Sequence, residues 1–230
     1  MSKIGLLIIA TGKYDRFVPP LHESVQKHFM LKHDVSVFVF TDKTLPAKNG
    51  LVVIQQDHEP WPNPTLKRYH VFDKHKDVLS EMDYLYYCDA DMLFVSEVGD
   101  EILPGNSSDL VATEHPGFHG GRRGTYETRY ESTAYVSPLD GDCYYAGGFN
   151  GGTSVAFLQM AEVIRDRVDK DLKNDIIALW HDESQLNRYM IDVGPKVLSP
   201  SYCYPESLNI PFEKKLLALD KNHEEVRNQE

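Results

Sequence analysis

The 230-residue chain is long enough to close one sizeable core without disulfide staples, and too short for two fully independent domains. Its 35 acidic against 24 basic residues give a formal charge of −11, which excludes a nucleic-acid partner, because a phosphate backbone demands clustered Lys and Arg. Cys88, Cys143 and Cys203 are odd in number and widely spaced, so they read as free thiols in a reducing compartment, and a cytoplasmic location is expected.

The chain opens on Ile4-Gly-Leu-Leu-Ile-Ile-Ala10. This run is too brief for a secretory signal, no small-residue cleavage site follows before Lys13, and it reads as a core strand over 3–10. A helix is expected at about 18–30, strands at 35–41 and 51–55, a helix at about 65–80 and a strand at 84–88. That is the βα rhythm of a mostly parallel sheet covered on both faces. The Pro-rich connection Glu59-Pro-Trp-Pro-Asn-Pro64 favours an extended path between a strand and a helix. Beyond Phe94 the texture changes. Residues 115–153 are rich in Gly, Tyr and Arg, and are expected to form short strands and loops that wall a substrate site. Two helices should follow, at about 153–172 and 181–191. Lys214 to Glu230 is charged and poorly periodic, which on composition alone makes a frayed terminus. No stretch approaches the roughly 20 apolar residues of a membrane span.

Chemistry enters at Tyr84-Leu-Tyr-Tyr-Cys-Asp89-Ala-Asp91, an apolar run that ends in two carboxylates one residue apart. A strand buried on both faces delivers its next residues to the carboxyl edge of the sheet, where ligands of open α/β folds gather. Two oxygen ligands there suit Mg²⁺ or Mn²⁺ better than zinc, and such an ion holds phosphates. The plainer alternative is a polar strand end whose aspartates cap a turn. A phosphatase of the Asp-x-Asp-x-Thr type would need a hydroxyl where Leu93 stands.

Trp180-His-Asp182-Glu183-Ser184 sets two acids beside an indole at a helix start. Acids in a first turn can simply answer the helix dipole. They can also face a sugar, the ring stacking on the indole while a carboxylate stabilises positive charge at the anomeric carbon. His181 and Glu183 do not make His-Glu-x-x-His, which excludes a zinc protease. In Tyr144-Tyr-Ala-Gly147-Gly148-Phe-Asn-Gly-Gly-Thr153 the glycines come in pairs without dinucleotide-fingerprint spacing. They mark bulges or a turn, or let a ligand approach the backbone between flanking tyrosines.

Together these segments resemble the family containing the histo-blood group A and B transferases and the α1,3-galactosyltransferase, from about Ile9 to Asn228. The motifs fall in the family's order: Glu81 to Phe94 around the Asp-x-Asp, His115-Pro-Gly-Phe118, Tyr126-Glu127, Tyr144 to Thr153, Trp180 to Ser184 with Leu186-Asn187, Leu198-Ser-Pro200, and Lys221-Asn-His223 with Val226-Arg-Asn228. The resemblance implies a GT-A-type nucleotide-sugar fold in a single domain. About 1–95 would form the nucleotide-binding half, about 96–212 the acceptor and sugar half, and about 213–230 a C-terminal lid.

It further implies retaining transfer of N-acetylgalactosamine, or less readily galactose, from a UDP donor to the 3-hydroxyl of a β-galactoside, 2-fucosylated by first choice. Asp89, Ala90 and Asp91 match the segment where Mn²⁺, or Mg²⁺, meets the diphosphate. Ile9, Ala10, Thr11 and Tyr14 match the uridine grip, with Ile9 in place of a usual Phe. Arg68 matches an arginine near the donor, and Lys221 and Arg227 match tail residues that close over the diphosphate. Glu183 falls at the anomeric centre, as nucleophile or as stabiliser of an oxocarbenium-like state. Asp182, Gly147 and Gly148 match donor-sugar positions, and Gly148 resembles the choice that admits an acetamido group. His115, Thr125, Trp180 and Glu183 match the acceptor side, though the loop after His115 is two residues shorter than in the mammalian enzymes. Tyr204-Pro205, with Glu206 following, replaces an aromatic-Asp pair. The chain looks like a soluble microbial or viral member. A metal-dependent phosphohydrolase and a silent carbohydrate-binding module are the alternatives.

Overall fold

The computed structural model describes residues 1–222 and Glu225. In chain order it contains β1 (Lys3–Ile9), α1 (Val18–His28), β2 (Asp34–Thr41), β3 (Leu51–Gln55), α2 (Asn63–Leu66), α3 (Arg68–Lys74), α4 (Lys76–Leu79), β4 (Tyr84–Cys88), β5 (Met92–Phe94), β6 (Leu110–Glu114), β7 (Tyr145–Thr153), α5 (Ser154–Leu172), α6 (His181–Val193), β8 (Lys196–Leu198), β9 (Tyr204–Pro205) and β10 (Leu216–Ala218). Seven strands make the central sheet in the order β3-β2-β1-β4-β7-β6-β8, and only β7 runs antiparallel to its neighbours. This is the mostly parallel α/β sheet that the sequence rhythm implies.

Strand alternation divides the core between two faces. Ile4, Leu6 and Ile8 of β1 pack with Leu21 and Val25 of α1, whereas Leu7 faces the other way, toward Phe72 of α3, Phe157 of α5 and Leu186 of α6. Each such fully buried aliphatic or aromatic contributes roughly 1.5–3 kcal/mol relative to exposure, so both faces must be covered for the sheet to hold. β4 shares this logic, with Tyr86 on the first face and Leu85 and Tyr87 on the second.

Three local outcomes differ from the sequence reading. The helix expected over 65–80 is three short helices, because Lys67 (φ −101°, ψ 17°) and His75 (φ −108°, ψ 19°) leave helical geometry. These breaks keep Leu66, Tyr69, Phe72 and Leu79 all buried in one core cluster. The short strands expected over 115–153 are a single nine-residue strand, β7, preceded by a segment, 115–144, without regular strand or helix. Glycine makes that insertion between β4 and β6 possible, since a Cβ on Gly151 would lie 2.3 Å from a ring carbon of Tyr86. Finally, the charged tail does not fray from Lys214 onward. Leu216–Ala218 form β10, antiparallel to β5 and parallel to β9.

Two features aim residues at one place. Strand β1 sits between β2 and β4, so the chain reverses direction across the sheet there and leaves a crevice beyond the carboxyl ends of β1 and β4. Opposite it, β7 bulges: Ala112 pairs with Asn150 but Thr113 pairs with Ala146, leaving residues 147–149 out of the β6 ladder. Among the described residues, no helix is long and apolar enough to cross a membrane.

Candidate active site

The crevice is a cavity of about 200 Å³ lined by Ile9 at the end of β1, by Thr11 and Tyr14 after it, by Tyr87, Asp89, Ala90 and Asp91 at the end of β4, and by Arg68 and Lys221. His58, Trp61, Pro64 and Thr65, from the Pro-rich connection and α2, complete its wall. The sequence reading took that connection only as a spacer. Its one signal was the indole of Trp61 among prolines. Ala10 does not reach the cavity. It is fully buried in the core, its amide donating to Phe40 O at 2.9 Å.

Asp89 is placed by backbone pairing, its N–H donating to Gly148 O at 2.9 Å. Its Oδ1 accepts from Arg68 Nη2 at 3.1 Å and from the Tyr87 hydroxyl. Asp91 is nearly buried and accepts from Lys221 Nζ through Oδ2. Burial and the adjacent Asp89 charge push the Asp91 carboxyl above its ordinary range, against the pull of Lys221. Lys221 is delivered by the tail strand, because Leu219 N donates to Asp91 O at 2.9 Å directly after β10. The ammonium also sits 5.1 Å from the Tyr14 ring centroid.

Arg68 joins the two halves of the site. Only 5 % exposed, it reaches Asp89 by Nη2, and by Nη1 it reaches Asp182 Oδ2 at 2.9 Å and Gly147 O at 3.0 Å, with its guanidinium 3.9 Å from the Tyr87 ring centroid. Burial drives the Asp182 carboxyl up to about 7, Arg68 pulls against that, and the charges of Asp89 and Glu183 add to the rise.

Glu183 lies beyond this cavity, behind the β7 bulge. Its Oε2 accepts the Gly147 N–H at 2.8 Å, and its Oε1 accepts the Tyr144 hydroxyl at 2.8 Å. The bulge makes this possible by freeing the Gly147 peptide from the β6 ladder, so that its N–H serves Glu183 and its carbonyl serves Arg68. Burial raises the Glu183 carboxyl, and those two donors oppose the rise. The bulge also sets the two acid groups on either side of adjacent glycines. A Cβ on Gly147 would lie 3.3 Å from Glu183 Oε2, and one on Gly148 would lie 3.2 Å from Asp89 Oδ2, 3.4 Å from Cys203 Sγ and 3.5 Å from Met92 Sδ. Cys203, Tyr87 and Tyr144 therefore belong to the site; the sequence marks Tyr144 only as a tyrosine flanking the glycine pair, and gives Cys203 and Tyr87 no role there. All three cysteines are free thiols.

The residues expected on the acceptor side cluster around Tyr144. The His115 ring lies 5.6 Å from that of Tyr144, and burial holds its imidazole down at about 4, so it is neutral near pH 7. Its Nδ1 accepts the Gly117 N–H at 3.0 Å, which leaves Nε2 as the protonated donor. Trp180, half exposed, donates its indole N–H to Thr125 Oγ1 at 2.8 Å. Arg227 lies outside the described residues.

Among the described residues no three His, Cys, Asp or Glu side chains converge as a closed metal cage. Asp89 and Asp91 supply two carboxylates at the mouth of one cavity, each with a second oxygen beyond its bonded one. Mg²⁺ and Mn²⁺ are held in this way when substrate phosphates and water complete the shell, so the donor set fits such an ion.

A switch-point crevice with paired carboxylates on one side, and a part-buried glutamate beside a half-exposed indole on the other, fits an enzyme that handles a sugar. Residues 1–228 match the model of glycosyltransferase family 6, and the chain belongs to that family; it is a glycosyltransferase. It is 38% identical over 244 residues to histo-blood group ABO system transferase 1 of Rattus norvegicus, covering 99% of this chain and 69% of the rat protein. It is 34% identical over 241 residues to globoside alpha-1,3-N-acetylgalactosaminyltransferase 1 of Gallus gallus, covering 98% and 69%. With the O-antigen biosynthesis glycosyltransferase WbnI of Escherichia coli it shares 31% over 226 residues, 96% of each chain.

Proposed function

We propose that this glycosyltransferase moves N-acetylgalactosamine from UDP-N-acetylgalactosamine, with retention, to the 3-hydroxyl of a β-galactoside, by preference 2-fucosylated. The observation that carries this reading is the seating of Glu183 on Gly147 N–H and Tyr144 OH, next to the glycine pair that borders Asp89. A hexose joined to a diphosphate at Asp89 and Asp91 has its anomeric carbon within that stretch.

Ile9, Thr11 and Tyr14 face the uridine, and Arg68, Lys221 and Arg227 supply positive charge in an otherwise acidic chain. Asp89 and Asp91 would hold Mn²⁺ or Mg²⁺, which when bound supplies Lewis acidity to the departing diphosphate. Asp182, fixed by Arg68, accepts from donor-sugar hydroxyls. Glu183 answers the positive charge that builds at the anomeric carbon. Its two fixed donors aim it, and no side-chain acid is required for the leaving group. The neutral His115 offers Nε2–H to the acceptor, and Trp180 offers an apolar face for a sugar ring.

Gly148 favours the acetamido donor, because a side chain there would point among Asp89, Met92 and Cys203 and narrow the sugar pocket. The printed name of the globoside alpha-1,3-N-acetylgalactosaminyltransferase relative supports N-acetylgalactosamine as the donor sugar. The nucleotide half is assigned to about 1–95, the acceptor and sugar half to about 96–212, and the lid to the tail after β10. Three free thiols support a reducing, cytoplasmic setting.

The protein should be incubated with UDP-N-acetylgalactosamine or UDP-galactose, Mn²⁺ and a panel of galactosides. UDP release with extension of an acceptor supports the reading. Inorganic phosphate from simple monoesters would point instead to a phosphohydrolase, and ligand binding without release to a carbohydrate-binding module.

A further inference from the structure

The irregular segment before β7 places three consecutive side chains against the surroundings of Glu183. Thr125 takes the indole N–H of Trp180 at 2.8 Å, and Tyr126 packs edge-on to Tyr144 with centroids 5.0 Å apart. Glu127 does something different. It is 2 % exposed, and its Oε1 accepts the backbone N–H and the Nε of Arg129 at 2.8 and 3.0 Å. Its Oε2 accepts Arg129 Nη2 at 2.6 Å and the backbone N–H of Leu179 at 2.8 Å. The same Arg129 Nη2 donates to the carbonyl of Ile177.

One ion pair therefore grips both ends of the tripeptide Ile177-Ala-Leu179. That tripeptide leads directly into Trp180, whose carbonyl accepts the Glu183 N–H at 2.9 Å in the first turn of α6. A buried carboxylate is costly unless paired and fully hydrogen-bonded, and Glu127 has both. The segment has other anchors besides this pair. Tyr126, Val136 and Tyr144 form their own apolar cluster, and Asp171 anchors the following turn by accepting Ser132 Oγ and Thr133 N, each at 2.7 Å.

We propose that Glu127 and Arg129 are positioning residues, whose ion pair fixes residues 177–179 so that Trp180 presents its indole to the acceptor. The kinetic part of this proposal rests on the glycosyl-transfer reading above. The positional part does not.

The test uses the full chain with Glu127→Gln, which keeps the shape but offers one acceptor oxygen fewer, and with Arg129→Lys, at a half-exposed position that leaves the core untouched. In a Trp61→Phe background, acrylamide quenching reports Trp180 alone. Both variants should raise its quenching constant about twofold. With UDP-N-acetylgalactosamine and a 2-fucosylated β-galactoside, acceptor KM should rise about tenfold, while donor KM and acceptor-free donor hydrolysis stay within twofold of the parent. Parental quenching in both variants would overturn the proposal, as would transfer and hydrolysis falling in parallel. Increased quenching in a protein that releases no UDP would uphold the positioning and reject the transferase reading alone.

Discussion

The Gly147 amide and the Glu183 carboxylate meet at 2.8 Å across the β7 bulge, a contact that couples the central sheet to the first turn of α6. Asn187 of α6 secures the same junction, accepting Tyr145 N–H and donating to Tyr145 O, each at 2.8 Å. The Gly147 N–H pins Glu183 from one side, Tyr144 pins it from the other, and Arg68 ties the carbonyl of the same glycine to the Asp89 end of the cleft.

Glu183→Gln preserves this geometry but removes the charge. Turnover is expected to fall by roughly two orders of magnitude or more, with UDP affinity nearly unchanged by calorimetry. A loss of only a few fold would take Glu183 out of the chemistry.

Asp89→Ala with Asp91→Ala should abolish turnover, and chelator should do the same to the parent enzyme until Mn²⁺ is restored. Activity surviving in both experiments would remove the metal from the reading. The double variant should still fold, because Asp91 is itself held above its ordinary range by burial and by Asp89, and neutral side chains relieve that repulsion. Circular dichroism would check this.

Gly148→Ala brings a methyl to 3.2 Å from Asp89 Oδ2 and 3.4 Å from Cys203 Sγ, tight contacts that small shifts can absorb. The expected result is a shift of donor preference toward galactose by about tenfold in kcat/KM, with little change in melting temperature. Unaltered selectivity would discard the assignment of Gly148.

Truncation before Lys221 removes the ammonium from Asp91 and the tail beyond it, while β10 stays paired. Donor KM should rise about tenfold or more, in line with the loss of a hydrogen bond to a charged group. A donor KM equal to that of the full chain would reject the lid.

Stability should decline on acidification in two stages. Burial favours the neutral His115 ring and holds it at about 4 against an ordinary 6.5, so its contribution is complete above 6.5 and lost as pH falls toward 4. Burial works to raise Glu127, but Arg129 and the Leu179 amide outweigh it and hold the carboxyl at about 2 against 4.5, so that contribution is lost below 4.5. Each is worth at most about 3 kcal/mol, less for Glu127 because Arg129 is half exposed. Melting temperature against pH should flatten over the upper range in His115→Gln, and over the lower range in Glu127→Gln. Parallel curves for parent and variants would contradict both assignments.

The sequence by itself determined strands of the first half, because the apolar runs at 3–10, 35–41 and 84–88 can be satisfied only by burial on both faces of a sheet. It also located Asp89 and Asp91, since a strand so covered must shed its polar residues at its carboxyl edge, and it marked Trp180 to Glu183 as a helix entrance bearing chemistry. It could not show that Gly147 leaves the β6 ladder, that Tyr144 reaches Glu183, that Arg68 spans Asp89 and Asp182, or that the tail enters a sheet at 216–218. Those contacts join residues far apart in the chain, 21 positions for Arg68 and Asp89, 36 for Gly147 and Glu183, and 39 for Tyr144 and Glu183. Chain periodicity reports which face a residue prefers, whereas the partner waiting there is chosen by register, bulge and helix packing, which exist only once the chain has folded.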